Sequence, residues 1–407
     1  MNASLGADVV TCRFCRSAEG DVVLDMGRQP ACDHFPSIKD VATDPIYPLR
    51  LWLCGRCALA QLAEDPTVPD EPRAVEPLAL VLQAEQAVAG VAAAGLLPEI
   101  GTVLEHGSPH GGSWLGLLAD RGVRECEGGT LADVVVDSFG LMHDGDQAEA
   151  LAQRAEELAP GGVLLVQYHC LAAILQHRQW NAVRHGHPVY LSTPVVVDML
   201  RSVRLETVSA WRFDLYGGTV LLAARRGGER GPSVRRLIED ELAVGVADPA
   251  ALRGLAQSAD ETAQALRQWL LDSRNAGRVV LGYGAASRAV PLLNHADIGP
   301  ELLSAVADAS PPKQGRRFPG VGIPIIAPDE ILARRPDEVV LFVPDMLDEI
   351  RQRFPEVERG GGRWVVLEPA PRVVDPLRSP PSASADPSVM SRQGKGPTDD
   401  HATRPRP

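Results

Sequence analysis

The stretch LADVVVDSFGLMHDGDQAEALAQRAEELAPGGVLLVQYH, residues 131–169, sets the architecture of this chain of 407 residues. An apolar run at 131–140 predicts a buried strand, and residues 146–159 have the apolar spacing of an amphipathic helix. A Pro-Gly-Gly turn then leads into a second apolar run at 163–169. A strand, a helix and a strand in this order indicate parallel strands joined by a crossover helix. We therefore predict an α/β fold.

The same alternation extends on both sides of this stretch. Upstream, helical spacing at 76–97 precedes a short apolar run, GTVLE, at 101–105. Downstream, a helix pattern at 193–204 precedes two strand patterns at 205–226 that indicate a hairpin. A long helical stretch then leads to a second α/β unit, which opens with GRVVLGYGAASRAVPLLNHA at 277–296.

These patterns divide the chain into five segments. Beyond about Ala370, proline, serine and charge replace apolar periodicity, so no packed core is expected there. The predicted segments are an N-terminal module at 1–71, a middle domain at 72–230, a helical connector at 231–275, a C-terminal Rossmann-like α/β domain at 276–369 and a disordered tail at 370–407.

Charge and hydropathy limit the partners. The formal net charge is -13, and an acidic surface repels nucleic acid and anionic membranes. The first residues lack a basic segment followed by an apolar one, and no apolar run reaches the roughly eighteen residues of a membrane span. We expect a cytoplasmic protein without nucleic-acid or membrane partners, and the sequence leaves its oligomeric state open.

Four of the seven cysteines are spaced as metal ligands. Cys12 and Cys15 form one C-x-x-C pair and Cys54 and Cys57 a second, and two such pairs can close a tetrahedron of thiolates around zinc. Four sulfurs leave no position for water, so we predict a structural ion. The alternative is a set of unrelated buried cysteines or a redox pair. The remaining three are expected to be small buried residues: Cys32, Cys126 and Cys170.

A glycine-rich loop follows the strand pattern at 101–105. VLEHGSPHGGSW, residues 103–114, places an acid and three glycines between a strand and a helix. Nucleotide and adenosyl cofactor folds use this order, because glycine lets the backbone approach a ligand and a helix start favours anionic or polar groups. A metal site formed by Glu105, His106 and His110 is a weaker alternative, since the loop offers no fourth ligand.

A second strand-loop-helix pattern opens the C-terminal domain. Gly282, Gly284 and Ser287 form a G-x-G-x-x-S pattern, which is an incomplete dinucleotide fingerprint. Asp308 lies about where the ribose-binding acid of such a fingerprint would be. A basic loop follows, which either binds a diphosphate or is simply solvated, and it contains Lys313, Arg316 and Arg317.

Long motifs along the chain resemble one family, the zinc-containing C-methyltransferases that use S-adenosylmethionine (SAM) and act on nucleotide-linked keto-deoxysugars in antibiotic sugar pathways. The matching stretches are CRFC, CGRC with LAQLAEDPT, PGGVLLVQYH, YGGTVLLA, GYGAASRAVPLLNHADIG and KQGRRFPGVGIPIIAPDEI. The resemblance implies zinc in the N-terminal module, SAM in a degenerate class I methyltransferase-like (Rossmann-like) middle domain, and a nucleotide sugar, expected to be linked to thymidine diphosphate, against the C-terminal domain. It also implies that a base removes a proton beside the ketone before the enolate carbon takes the methyl group.

The resemblance also assigns site residues. Family members carry Tyr-His-Glu-His where this chain reads VRHGHPVYLS, so His187 is the predicted base with His185 beside it, while Arg184 and Gly186 replace the tyrosine and the glutamate. Without the resemblance, two histidines on a loop are more often solvated surface residues. The predicted SAM-binding residues are Glu105, Gly107, Ser108, Gly111 and Gly112. The predicted substrate-binding residues are Tyr190, Gly284, Lys313, Arg316 and Arg317.

Three departures from the family fall on the SAM side. The glycine loop has an insertion and lacks the family's aspartate, and PDEPRAVEPLAL replaces a tyrosine-rich stretch. Between ADRGVRECEGGT and LADVVVDSFG, the sequence shows no room for the family's second and third strands. In a SAM fold the second strand normally ends in the acid that holds the ribose hydroxyls, so these departures predict weakened SAM binding.

Three functions therefore remain open. The first is a SAM-dependent sugar C-methyltransferase. The second is a SAM-deficient paralogue that binds the nucleotide sugar as a partner protein or performs proton-only, epimerase-type chemistry. The third is an NAD(P)-dependent ketoreductase with GYGAAS as its nicotinamide site. The sugar and the methylated carbon are open in each case.

Overall fold

The computed structural model describes residues 9–40, 42–68, 76–107, 111–126, 129–367 and 369–375. Met1–Val374 form one unit and Asp375–Pro407 a second, of which only Asp375 is described. Within the described residues the strands form three sheets.

The strands are β1 (Gly20–Pro30), β2 (Ile46–Cys54), β3 (Ala60–Leu62), β4 (Gly101–His106), β5 (Val123–Glu125), β6 (Ala132–Ser138), β7 (Leu158–His169), β8 (Val189–Tyr190), β9 (Glu206–Phe213), β10 (Thr219–Arg225), β11 (Val280–Tyr283), β12 (Val306–Ala307), β13 (Ile325–Ile326), β14 (Glu338–Leu341), β15 (Arg363–Leu367) and β16 (Pro371–Val373). The α-helices are α1 (Leu78–Ala93), α2 (Leu115–Ala119), α3 (Gln147–Glu156), α4 (Leu171–Gln176), α5 (Thr193–Ser202), α6 (Pro232–Val244), α7 (Pro249–Asn275), α8 (Ala289–His295), α9 (Asp329–Arg334), α10 (Leu347–Arg353) and α11 (Pro355–Arg359).

The middle sheet has the strand order β5-β4-β6-β7-β10-β9. Its first four strands are parallel, and β10 and β9 close it as an antiparallel hairpin. Val134 and Val136 of β6 pack in one cluster with Ala87 of α1, whereas Val135 packs in another. Both faces are therefore buried, as expected for parallel strands connected by helices.

The C-terminal sheet has the order β13-β12-β11-β14-β15-β16, with only β16 antiparallel. The strand patterns of the middle domain and of the C-terminal domain thus give Rossmann-like sheets, and the predicted α/β fold class is confirmed. Because the carboxyl ends of parallel strands meet at one edge, each sheet gathers the loops that follow its strands.

The small N-terminal sheet is antiparallel and has the order β1-β2-β3-β8. Its fourth strand comes from far along the chain: Tyr190 and Val189 pair with Ala60 and Gln61. The segment that contains His187 is therefore joined to the N-terminal module by main-chain hydrogen bonds.

Helix boundaries follow local chemistry. Asp146 caps α3 by accepting a hydrogen bond from the Glu149 amide at 3.0 Å, and Asp248 caps α7 through the Ala250 amide at 2.8 Å. Helix α6 ends at Gly245 in the left-handed conformation. The helix predicted at 146–159 ends earlier, at Glu156, because the Pro-Gly-Gly segment belongs to β7 rather than to a turn.

Two sequence expectations need correction. The chain does have room for a second strand in the middle sheet, because Val123–Glu125 form β5 beside β4. A three-residue strand is too short to show a periodic pattern, which is why the sequence did not reveal it. The predicted tail at 370–407 includes strand β16, and residues 376–407 lie outside the described residues.

Candidate functional site

The four predicted zinc ligands come together in one cluster. Their sulfur atoms all lie within 4.8 Å of one another, and the Sγ atoms are 3.5 Å apart both for Cys12 with Cys57 and for Cys15 with Cys54. Zinc bound tetrahedrally to four sulfurs at about 2.3 Å separates them by about 3.8 Å, so the cluster fits this ion. The amides of Cys15 and Arg56 each donate to a cysteine sulfur at 3.4 Å, which helps to orient the ligands.

Gln61 connects this cluster to the loop that contains His187. The Gln61 side chain accepts a hydrogen bond from the Arg13 amide at 2.8 Å and donates to the Thr11 carbonyl at 3.0 Å. The same residue pairs with Val189 across the β3–β8 ladder. The zinc module therefore fixes the position of the loop from Arg184 to Tyr190.

The glycine loop after β4 is held by its own acid. Glu105 accepts hydrogen bonds from the Ser113 hydroxyl and the Trp114 amide, both at 2.6 Å. Gly107 precedes the gap in the described residues, and Gly111 and Gly112 follow it with φ values of 92° and 87°. The predicted residue Ser108 lies outside the described residues.

The alternative metal site on this loop gains no support from the described residues. His106 lies 2.5 Å from Glu157, through Nε2 and Oε2, and His110 is not described. Among the described residues, the four cysteines are the only group identified as able to hold a metal ion.

Glu125 at the end of β5 was missed by sequence reasoning. It is exposed, and within the described part of the chain its carboxylate makes no hydrogen bond or ion pair. The second strand of a SAM fold normally ends in the ribose-binding acid. The sequence had predicted that this acid is missing, but Glu125 lies at the corresponding place in the sheet. Glu127, two residues further, lies outside the described ranges.

The C-terminal glycine loop is shaped by Gly284. Its φ is 92°, and a Cβ atom at this position would lie 2.6 Å from Cγ2 of Val343, so only glycine fits. Asp308 braces this loop, because its carboxylate accepts hydrogen bonds from the amides of Ala285 and Ser310, both at 2.7 Å. Lys313 is buried, donates to the Ala285 carbonyl at 2.9 Å and lies 5.0 Å from the ring centre of Phe35.

One cavity of about 250 Å³ brings several of the predicted residues together. Its lining includes Gly111 from the middle glycine loop, His187 and Tyr190, and Gly284 with Lys313 from the C-terminal domain. The cavity is therefore shared by residues that the sequence had assigned separately to SAM, to catalysis and to the nucleotide sugar.

A histidine pair lies on the cavity wall. The rings of His143 and His187 are 4.5 Å apart between centres and meet edge to face. Nδ1 of His143 lies 3.0 Å from the Gly186 carbonyl, which can accept a hydrogen bond from it. His143 follows β6 in a single helical turn, and no sequence motif had identified it.

His185 lies elsewhere. It is fully buried, and it does not line the cavity. Its Nδ1 lies 3.5 Å from Sγ of Cys32, and its Nε2 lies 3.0 Å from the Pro48 carbonyl. Gly186 adopts a φ of 82°, which turns the chain so that the histidines on either side of it face different surroundings.

The structure does not bring Arg316 and Arg317 to the cavity lining either. Arg317 forms a bidentate ion pair with Asp44, with N–O distances of 2.6 and 3.0 Å, and Arg316 donates to the Phe35 carbonyl at 2.7 Å. Both arginines join the C-terminal domain to the N-terminal module. Tyr190 does line the cavity, but its hydroxyl bonds to the amide and carbonyl of Arg184 at 2.9 and 3.2 Å.

The cavity lining also includes polar residues that had not been predicted as site residues, among them Tyr216, His169, Arg184 and Arg288. Tyr216 has a φ of 59°, which is uncommon for tyrosine, and burial raises its pKa to about 12. Burial lowers the pKa of His169 to about 3, with Arg288 and Arg184 as further causes. Both groups are thus neutral near pH 7.

Comparison with known proteins supports this picture. Residues 12–70 match the model described as "Putative zinc binding domain", and residues 214–369 match the "C-methyltransferase C-terminal domain". The curated C-methyltransferase NovU from Streptomyces niveus is 27% identical over 275 residues, covering 64% of this chain and 66% of that protein, just under two thirds of its length.

Solved methyltransferase structures also match. The 1,6-didemethyltoxoflavin-N1-methyltransferase of Burkholderia thailandensis, with bound S-adenosylhomocysteine, is 16% identical, with a TM-score of 0.27, covering 42% of this chain and 96% of that one. The magnesium protoporphyrin IX methyltransferase of Synechocystis PCC 6803 is 12% identical, with a TM-score of 0.28, covering 37% of this chain and 84% of that one.

The chain combines a four-cysteine zinc module with two Rossmann-like sheets. The two family-model matches and the similarity to NovU confirm its resemblance to the zinc-containing C-methyltransferases of antibiotic sugar pathways. None of the described helices is long and apolar enough to cross a membrane.

Proposed function

We propose that this chain is a SAM-dependent C-methyltransferase that acts on a nucleotide-linked keto-sugar. The observation that carries the proposal is the shared cavity, which is lined by Gly111, His187 and Gly284. A methyl donor at the middle glycine loop and a sugar held by the C-terminal domain would meet beside the histidine pair. The similarity to NovU supports the same activity.

The SAM site would use the glycine loop after β4 and the acid at the end of the neighbouring strand β5. Gly107, Gly111 and Gly112 allow a close approach of the cofactor to the backbone, and Glu125 offers a free carboxylate to the ribose hydroxyls. Glu105 would act indirectly, because it holds Ser113 and Trp114. SAM would supply the electrophilic methyl group, and Ser108 remains part of this proposal.

The nucleotide diphosphate would lie against the loop after β11. Within the described residues, the amides of Ala286, Ser287 and Arg288 make no hydrogen bonds, so three donors are available on one turn. Lys313 adds a positive charge beside them. Backbone amides and a lysine together suit a diphosphate.

The chemistry would depend on His187 as the base. It lies part-buried on the cavity wall, where an imidazole can take a proton from the carbon beside the ketone. Tyr216, protonated near pH 7, would donate a hydrogen bond to the oxygen that becomes negative in the enolate. His143, 4.5 Å from His187 between ring centres, would position the base.

A specific observation keeps the SAM-deficient alternative as the second candidate. Within the described residues the middle sheet ends at β5, and they form no third strand beside the place where the adenine would bind. The ketoreductase is less favoured, because the carboxylate of Asp308 already accepts hydrogen bonds from two amides and keeps less capacity for the hydroxyls of a dinucleotide ribose.

The test is an assay with SAM and thymidine diphosphate 4-keto-6-deoxyglucose, analysed by mass spectrometry. We expect a product that is one methyl group heavier with the wild type and none with His187→Ala. His185→Gln serves as a control for the buried histidine, provided that its thermal unfolding matches the wild type. Wild-type protein that binds the nucleotide sugar, but neither binds SAM nor forms a methylated product, would favour the SAM-deficient alternative.

A further inference from the structure

The place of His187 on the cavity wall depends on the residues beside it, Gly186 and Pro188. Gly186 adopts a φ of 82°, and a Cβ atom at this position would overlap Oδ2 of Asp33, so only glycine fits. A glycine has no side chain that could pack and fix this turn. The main-chain groups on either side of His187 must therefore hold it in place.

Both neighbours of His187 bond to one short segment of the zinc module, residues 62–65. The Gly186 amide donates to Oδ2 of Asp65 at 2.8 Å, and the Pro188 carbonyl accepts from the Leu62 amide at 2.9 Å. Proline has no N–H, so this carbonyl is its only main-chain hydrogen-bonding group. Segment 62–65 thus brackets the proposed base from both sides.

The Asp65 carboxylate is itself held in one orientation. Its Oδ1 accepts hydrogen bonds from the Thr67 hydroxyl at 2.6 Å and from the Thr67 amide at 3.3 Å, which leaves Oδ2 for Gly186. Within the described residues, Asp65 is the only acceptor of the Gly186 amide. A hydrogen bond to a carboxylate is roughly twice as strong as one to a neutral acceptor. Loss of the Asp65 side chain would therefore release the residue that precedes the base.

Asp65 lies outside the space for ligands. It does not belong to the cavity lining, whereas His187 does. On the other side of Gly186, the carbonyl lies 3.0 Å from Nδ1 of His143. Gly186 is thus held between the zinc module and the turn after β6, and its position sets that of His187. Precise placement matters, because a displacement of about 1 Å can cost a base roughly a hundredfold in rate.

We propose that Asp65 is a positioning residue for the base: its carboxylate holds the Gly186 amide so that the His187 imidazole faces the carbon beside the ketone. Asp65 acts only through Gly186 and takes no part in proton transfer. This inference rests on the proposed role of His187 as the base. It adds a function for the zinc module, which supplies the side chain that aligns the base.

The experiment follows proton removal alone. Thymidine diphosphate 4-keto-6-deoxyglucose is incubated in D2O with S-adenosylhomocysteine, which has no methyl group to transfer, and NMR follows the loss of the proton beside the ketone at several sugar concentrations. His187 would take this proton, and a deuteron from the solvent would return to the carbon. The control is Glu64→Ala, because this acid is next to Asp65 in the chain but bonds to Arg50. Thermal unfolding checks that each variant is folded.

We expect Asp65→Ala to lower the limiting exchange rate about ten- to hundredfold, with little change in KM for the sugar. Asp65→Asn should regain most of the rate, because its amide oxygen can still accept from Gly186. Thr67→Val keeps the carboxylate but loses the hydroxyl that orients it, so the rate should fall about three- to tenfold. This variant decides the question if Asp65→Ala does not fold. Glu64→Ala should match the wild type.

A wild-type rate in Asp65→Ala, or in Thr67→Val if Asp65→Ala does not fold, would overturn the inference, and exchange that is lost in His187→Ala would still leave the proposed base intact. Equal losses in Asp65→Ala and Asp65→Asn would also overturn it, because the charge rather than the hydrogen bond would then matter. Wild-type protein that binds the sugar without exchange that depends on His187 would remove the proposed base, and this inference with it.

Discussion

The two glycine loops of this chain occupy equivalent places in their sheets, but they use their acids differently. Each follows the first strand of a Rossmann-like sheet, β4 in the middle domain and β11 in the C-terminal domain. In the C-terminal domain the acid after the second strand, Asp308, is engaged by the amides of Ala285 and Ser310. In the middle domain the brace is Glu105, on the first strand, which leaves Glu125 at the end of the second strand without a bond in the described structure.

This difference shows why an acid near a glycine loop does not by itself define a cofactor site. A carboxylate that already accepts two hydrogen bonds from its own loop stabilises the backbone and has little capacity for ribose hydroxyls. A carboxylate that is exposed at the same topological position retains this capacity. In the proposed function, the middle glycine loop would therefore be the one to bind an adenosyl ribose, and the C-terminal loop would bind phosphate through its amides.

Removal of zinc should have the largest effect, because the zinc module holds the segment that carries His187 and Tyr190 on the cavity wall. Cys54→Ser, or chelation, should unfold the N-terminal module and release β8 from β3, since structural zinc contributes about 10–16 kcal/mol in small zinc domains. Metal analysis and circular dichroism of the chelated protein provide the measurement. An unchanged spectrum after complete zinc loss would contradict this dependence.

A matched glycine pair tests the packing of the two loops. Gly111 and Gly284 have the same φ of 92°, but a Cβ atom at Gly111 meets none of the described residues within 4 Å, whereas at Gly284 it lies 2.6 Å from Val343. Gly111→Ala should cost about 1–2 kcal/mol of unfolding free energy from backbone strain. Gly284→Ala should cost about 1–3 kcal/mol more from overpacking. Urea denaturation would measure both, and equal losses would show that Val343 moves aside without cost.

The proposed role of the exposed acid Glu125, at the end of β5, can be tested by Glu125→Ala. Loss of a charged acceptor should weaken binding of S-adenosylhomocysteine by about 1.5–3 kcal/mol, roughly ten- to hundredfold. Stability should change by less than about 0.5 kcal/mol, because the side chain is exposed. Glu99→Ala, an exposed acid before β4, is the control. Unchanged affinity in Glu125→Ala would assign the ribose to another group, and Glu127 would be the next residue to test.

His169, on the cavity that the loops share, predicts a pH dependence of stability. Its pKa is about 3 in the folded protein and about 6.5 when unfolded, so below pH 6.5 the unfolded chain binds a proton that the folded one does not. The stabilisation is present above pH 6.5 and is lost as the pH falls toward 3, by about 2 kcal/mol at pH 5. His169→Gln should remove this part of the acid sensitivity in denaturation curves. Parallel curves for variant and wild type between pH 7 and 4 would refute it.

The sequence predicted local features better than those formed between distant segments. The zinc ligands were found because C-x-x-C spacing is local. In the middle domain the longer strands were found because their apolar runs show a pattern, whereas the long strands β1 and β2 of the N-terminal module were not predicted. Strand β5 was missed because it has three residues. Arg317 was expected to bind a diphosphate, but in the structure it pairs with Asp44. This partner lies far away in the sequence and close in the fold, so no local pattern could reveal it.

Isolated site residues were the least predictable. His143, His169 and Arg288 belong to no spacing motif, and they share a cavity only because strand ends and turns converge there. His185 and His187 look equivalent in the sequence, yet the turn at Gly186 places one against Cys32 and the other on the cavity wall.

The most direct test of this account is a calorimetric titration of the zinc-loaded protein with S-adenosylhomocysteine, followed by NAD and NADP in the same buffer. We predict binding of one S-adenosylhomocysteine per chain, and no heat from either dinucleotide, because Glu125 is free and Asp308 is engaged. Binding of a dinucleotide without any binding of S-adenosylhomocysteine would contradict the assignment of the two glycine loops.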